Sequence, residues 1–219
     1  MSFAGLPNAW LLLALVAQVL AYPFFEEHPG GRAAIAAFDL VILALALRAS
    51  HAGGHETWLG YVLVVPAMAL QATDALGGEA WGLYAASLAA QAAFHAFVVI
   101  CLLRYIWRDE IMTRDELFAA AGLYALMAFV FAYLYALIEH WQPGAFVINP
   151  ANNQYGAVRW WDLLYFSFTC LTSVGFGEIT PANDHARSLV MIQQMTGVLY
   201  FALVVSRLVT MHAGRTREP

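Results

Sequence analysis

Long apolar runs, broken at intervals by short clusters of Gly, Pro, Glu and Asn, dominate the chain. A helix needs about 20 apolar residues to cross the hydrocarbon core of a bilayer. Six segments meet or approach that length: residues 7–25, 33–50, 58–76, 81–105, 115–140 and 186–211. Glu26-Glu27-His28-Pro29-Gly30-Gly31 breaks the first pair, and Gly53-Gly54 and Gly77-Gly78 break the next two. Pro66 falls inside the third segment and predicts a kink there. Thr113-Arg114-Asp115-Glu116 has the spacing of a capping box, with Thr113 capping and Glu116 reaching back, and so predicts the start of the fifth helix.

The interval between the fifth and sixth segments differs from the other breaks. Residues 142–158 are polar and carry Asn and Gly. Trp160 and Trp161 follow, and Trp favours the membrane–water interface. An apolar run then predicts a short helix over 160–172 that enters the membrane without crossing it. The partial negative charge at its C-terminal end favours a cation beyond it.

Composition turns these segments into membrane spans. Of 219 residues, 62% are hydrophobic and 11% charged, and the mean hydropathy is +0.65. Soluble domains are about 45–50% apolar and about 25% charged, so the expectation is an all-α, multi-pass membrane protein. The formal charge of −5 is modest and dispersed, which disfavours a nucleic-acid partner. Cys101 and Cys170 both fall in predicted membrane elements, where free thiols are expected. No basic residue precedes the first segment, which is therefore expected to be a genuine span rather than a leader.

Residues 172–178, Thr-Ser-Val-Gly-Phe-Gly-Glu, carry the candidate chemistry. Rings of backbone carbonyls can replace the water around a dehydrated cation. Such a ring needs a backbone free to adopt positive φ, and Gly175 and Gly177 supply that freedom. Ser173 adds a hydroxyl. The wider stretch 164–177, Leu-Tyr-Phe-Ser-Phe-Thr-Cys-Leu-Thr-Ser-Val-Gly-Phe-Gly, resembles the pore of tetrameric potassium channels, with a filter similar to the ether-à-go-go type. Residues 134–139 with 143–146, and residues 199–209, resemble the fifth and last spans of six-span bacterial potassium channels.

That resemblance implies a peripheral bundle of four helices at 1–108 and a pore domain at 109–219. The pore domain would hold an outer helix 115–140, a pore helix 160–172, a filter 173–177 and an inner helix 186–211. The chain has one filter, so it implies a homotetramer in the lipid bilayer. K⁺ would bind at carbonyls of Ser173, Val174, Gly175 and Phe176, with Gly177 closing the outer mouth, and no organic cofactor is implied. Arg48, Arg104, Arg108, Arg114, Arg207, Arg215 and Arg217 share one side of the predicted topology, and Arg32, Arg159 and Arg187 the other. Basic residues concentrate in cytoplasmic loops, which puts both termini in the cytoplasm of a bacterial inner membrane and the filter loop outside.

Thr172, Glu178, Tyr165 and Phe166 are the candidate supports of the filter. Relatives brace it with an Asp on a pore-helix aromatic. Here Glu178 replaces that Asp, and it either bonds Tyr165 or stands solvated at the mouth, concentrating cations. Ser173 lacks the methyl of the more common Thr, which predicts a softer innermost site. Gly197 stands at the hinge position of the inner helix, with close packing on the pore helix as the alternative. Val198, Phe201 and Val205 line the cavity if the register holds, or face other helices. Glu139, His140 and His185 flank the predicted outer mouth, as pH-sensitive or plain surface groups, or with Glu139 anchoring the loop backbone.

The fourth span has no basic residue from Trp81 to Leu103, whereas a voltage sensor needs several. The expected channel is therefore potassium-selective and voltage-insensitive, with a weakly selective cation channel as the alternative. Asp39 and His95 are ionisable groups inside spans, a functional hint. They lie about 9 Å and about 21 Å below the outer edge at 1.5 Å per residue, so direct pairing is not expected. The alternative is that each bonds within the bundle. His51 and His55 have an i, i+4 spacing that a metal could use, but Gly53-Gly54 separates them. A membrane enzyme built on His95 and Asp39 lacks a nucleophile–base pair or cofactor motif, so no enzyme is expected. A potassium-transporter subunit would carry four pore repeats rather than one.

Overall fold

The computed structural model describes residues 6–25, 37–39, 41–42, 44–46, 57–75, 81–107, 113–151, 153 and 156–215. The expectations for His51, His55, the charged turn at 26–31, the two Gly-Gly breaks, Arg32, Arg48, Arg108 and Arg217 lie outside them. The helices are α1 (Pro7–Phe25), helical turns within α2 (Ala37–Ala46), α3 (Thr57–Ala75), α4 (Trp81–Ile106), α5 (Arg114–Trp141), α6 (Trp160–Leu171) and α7 (Asp184–Arg215). The strands β1 (Phe146–Ile148) and β2 (Ile179–Pro181) form an antiparallel ribbon. That ribbon adds to the all-α expectation, and strands of three residues are too short to show a hydrophobic alternation.

Four of the described helices, α1, α4, α5 and α7, are long and apolar enough to cross a membrane. The six-span expectation is met only in part. The apolar stretch of α3 is Trp58–Thr73, or about 24 Å of helix against a hydrocarbon core of about 30 Å. Of the predicted second span, only the turns within α2 are described.

The chain divides into two compact units, residues 1–127 and 128–219. The sequence places the boundary at 108/109, but the first half of α5 packs with the first unit. Asp115 shows why. Its carboxylate accepts the Asn8 N–H at 3.2 Å, Asn8 Nδ2 at 2.6 Å and the Tyr105 hydroxyl at 3.2 Å, which ties the starts of α1 and α5 to the end of α4. The predicted capping box forms beside it: Glu116 accepts the Thr113 N–H at 2.7 Å, and Thr113 Oγ1 accepts the Glu116 N–H at 3.3 Å. Leu11, Leu15, Phe94, Val98 and Leu102 are buried in this unit.

In the second unit α7 presents one buried stripe, Ala186, Val190, Gln193, Gly197 and Tyr200. The spacing of four, three, four and three keeps these positions on one helix face. The stripe packs on α6 and on β2. Off this stripe, Met191, Met195, Val198 and Phe201 are exposed.

Candidate functional site

The site is assembled in the second unit from the end of α5, the ribbon, α6, residues 172–178 and the start of α7. Helix α6 begins where the side chain of Asp162 turns back. It accepts the Arg159 N–H at 2.9 Å and the Arg159 guanidinium at 3.1 Å. A carboxylate in the first turn also suits the helix dipole. Aromatic side chains hold α6 from behind: Trp160 lies 5.1 Å from Tyr133, and Phe166 lies 5.5 Å from Tyr135 and 5.6 Å from Phe146, ring centre to ring centre.

A buried polar clamp joins the three helices around α6. The Tyr135 hydroxyl of α5 donates to Gln193 Oε1 of α7. Gln193 Nε2 donates to the Ser167 carbonyl at 3.0 Å and to Ser167 Oγ at 2.6 Å. Ser167 Oγ donates to the Ala128 carbonyl at 2.7 Å. Ser167 and Gln193 are both fully buried. Sequence reasoning did not single out Tyr135, Ser167 or Gln193. The available signal was a Ser and a Gln inside apolar runs, where an unbonded polar group is costly.

At the end of α6 the chain turns into the glycine-rich segment. The Thr172 N–H and Oγ1 both bond the Phe168 carbonyl, at 3.0 Å and 2.8 Å. The N–H groups of Ser173, Val174 and Gly175 then fold back onto helix carbonyls, Cys170 at 3.1 Å and Thr169 at 3.0 Å and 3.3 Å. So these three donors are used. Among the described residues, no carbonyl of 173–177 accepts a hydrogen bond. The backbone alternates: Ser173, Gly175 and Gly177 have φ of 59°, 53° and 80°, while Val174 and Phe176 between them do not have positive φ. In an extended strand successive carbonyls face opposite ways. Alternating positive and negative φ turns them toward one side. A non-glycine residue at positive φ is uncommon, so Ser173 is a strained position. Residues 172–177 are all exposed within the single chain.

Beyond the glycines the ribbon fixes the outer end. Its register pairs Phe146 with Pro181 and Ile148 with Ile179. The Asn149 N–H extends it to the Glu178 carbonyl at 2.8 Å. Glu139 holds the preceding turn, accepting the N–H groups of Gly144 at 2.8 Å and Phe146 at 2.9 Å. This is the anchoring alternative of the sequence analysis, and it comes from the last turn of α5. The Glu178 side chain lies near Tyr165 on α6, close enough for the two to interact. A cleft behind the segment is lined by Tyr165, Thr169, Cys170, Phe176, Glu178 and Gln194. His140 ends α5 and His185 starts α7. Those two ends are joined by Asn183 Nδ2 and Gln142 Oε1 at 2.8 Å.

Gly197 packs directly on the end of α6. A Cβ there would sit 2.2 Å from the Leu171 carbonyl oxygen, closer than any real contact. Close packing accounts for this glycine, and α7 runs through it without a break. Val198, Phe201 and Val205 share a neighbouring face with Met191 and Gln194, and this face is exposed within the chain. No cluster of three or more His, Cys, Asp or Glu suited to a metal occurs among the described residues.

Residues 120–213 match the family model described as an ion channel. The match begins inside α5 and takes in the ribbon, α6, the glycine-rich segment and nearly all of α7. The protein is thus a multi-pass membrane protein with an ion channel domain in its C-terminal half. No solved structure matches the chain.

Proposed function

We propose that the channel domain is one quarter of a homotetrameric, potassium-selective pore that conducts passively and independently of voltage. The observation that carries this reading is the stretch 173–177. Its carbonyls have no partner among the described residues, its φ values alternate, and the N–H groups of Ser173, Val174 and Gly175 are tied back to α6. A backbone so arranged offers oxygens to a dehydrated cation and little to an anion. One copy supplies one wall, and the exposure of 172–177 and of most of α7 leaves room for three more. K⁺ would bind the carbonyls of Ser173, Val174, Gly175 and Phe176 in this arrangement. Voltage independence rests on α4, whose basic residue in the last turn, Arg104, follows a run with none. The arginine pattern supports cytoplasmic termini and an outward-facing filter in a bacterial inner membrane.

A weakly selective cation pore of the same fold is the second reading, and Ser173 favours it. Its side chain lacks the methyl that would restrict its rotamer. The purified protein in a planar bilayer, with KCl on one side and NaCl on the other, separates the readings. A reversal close to the K⁺ equilibrium potential, abolished by Gly175→Ala, is the expected result. A reversal near zero with robust current sinks the first reading and leaves the second.

A further inference from the structure

The first unit contains a polar chain that the pore does not use. Gln18 of α1 donates through Nε2 to Oδ1 of Asp39, and Gln71 of α3 donates to Oδ2. Gln91 of α4 donates to Gln71 Oε1 at 2.6 Å. Four helical segments thus meet through one carboxyl group. Gln18 and Gln91 are 3% and 2% exposed, yet Gln18 Oε1 and Gln91 Oε1 have no hydrogen-bond partner among the described residues. A buried polar atom left unpaired is uncommon and costly. Among the described residues no basic side chain pairs with Asp39. Within one turn of the three glutamines the titratable side chains are Tyr22, Asp74 and His95. His95 Nδ1 lies 2.8 Å from the backbone carbonyl of Gln91, one turn back on the same helix, rather than from its side-chain amide. The described part of α2 carries no other titratable residue.

As drawn, the donors run from Gln91 to Gln71 to Asp39, with Gln18 donating from the other side. This direction suits an ionised carboxylate, which only accepts. The two ends of a glutamine amide have nearly the same shape, so half-turns of Gln71 and Gln91 reverse the chain. A protonated Asp39 then donates from Oδ2 to Gln71 Oε1, and Gln71 Nε2 donates to Gln91 Oε1. The Gln91 oxygen, which now lacks a partner, gains one, and its amide nitrogen takes the unpartnered place. Gln18 continues to donate to Oδ1. The proton comes from water, no other covalent bond changes, and the bundle is relieved of a charge that is expensive inside a bilayer.

We infer that Asp39 is a proton-binding site, and that the Gln71–Gln91 amide pair reverses its polarity as the proton enters and leaves. Infrared spectroscopy of the full-length chain in lipid, with ¹³C-carboxyl aspartate, reads this directly. The expected result is a protonated-carboxyl band from aspartate in an apolar setting. The band disappears as pH is raised between about pH 4 and about pH 10, and Asp39→Asn lacks it. Gln18→Leu removes a donor that stabilises the ionised form, so it should raise the midpoint by about one pH unit. That comparison decides the matter if Asp39→Asn does not fold. No titrating band, a band retained in Asp39→Asn, or a midpoint unmoved by Gln18→Leu would each overturn the assignment. A midpoint that falls as Na⁺ is raised would overturn it too, in favour of a metal cation.

Discussion

Both units bury a chain of polar side chains among apolar helices, but the two chains are built differently. In the pore unit Tyr135, Gln193, Ser167 and the Ala128 carbonyl close on one another, and none is ionised in ordinary conditions. Every donor and acceptor of Gln193 is engaged, so the network has one arrangement and fixes α6 against α5 and α7. In the first unit the chain ends on a carboxyl group and leaves two amide oxygens unpaired. Turning the Gln71 and Gln91 amides gives it a second arrangement when the acid is protonated, as proposed above. A saturated neutral network locks helices together, and an unsaturated one holding an acid can exchange between states.

The comparison can be broken by substitution. Gly197→Ala should have the largest effect, because the 2.2 Å approach to the Leu171 oxygen meets backbone rather than a yielding side chain. We expect loss of the stable oligomer, seen as its absence on size-exclusion chromatography. Recovery of a normal assembly with normal current would show that α7 can move away at no cost. Gln193→Leu comes next. It strands the Tyr135 hydroxyl and takes the Gln193 donor from both Ser167 oxygens, while Ser167 Oγ keeps the Ala128 carbonyl, at about 1–3 kcal/mol for a group left buried and unpaired. Hydrogen bonds between membrane helices average about 0.6 kcal/mol when measured pairwise. The stranding, rather than the lost bonds, should therefore dominate a clear fall in thermal midpoint. Ser167→Ala removes the bond to Ala128 and one of the two from Gln193, and should cost about half as much on the same scale. Gln91→Leu should be the mildest. It leaves Gln71 Oε1 unpaired but removes an oxygen that already lacks a partner, so we expect a change within about 1 kcal/mol. A Gln91→Leu variant as damaged as Gln193→Leu would erase the distinction between the two networks.

Much of the site was legible in the sequence because its determinants are local. Gly175 and Gly177 announce the need for positive φ, and Trp160 begins the short helix where the apolar pattern places it. Ser173 was read for its hydroxyl, and its own positive φ was not foreseen, because nothing in a serine announces it. Gly197 left two readings open in the sequence, since a hinge and a close contact ask for the same residue. The neighbour that requires it, Leu171, is visible only once α6 and α7 are packed. Glu139 likewise had several roles until its carboxylate was found on the Gly144 and Phe146 amides.

The sequence by itself determined the helical character of the apolar segments, the capping box at Thr113, and the segment whose backbone is free to present carbonyls. Those properties depend on neighbours within one or two turns. Only the tertiary structure decided the ribbon that ties Glu178 to Asn149, the clamp of Tyr135 on Gln193, and the chain from Gln18 through Asp39 to Gln91. The sequence analysis had set Asp39 and His95 too far apart to pair directly. The packing links Asp39 to Gln91 through the Gln71 side chain, and His95 bonds the backbone carbonyl of Gln91 on its own helix. Hydrophobic periodicity says which face of a helix is buried. It carries no information on which polar group of a distant helix will face it, because that depends on the rotation and offset of one packed helix against another.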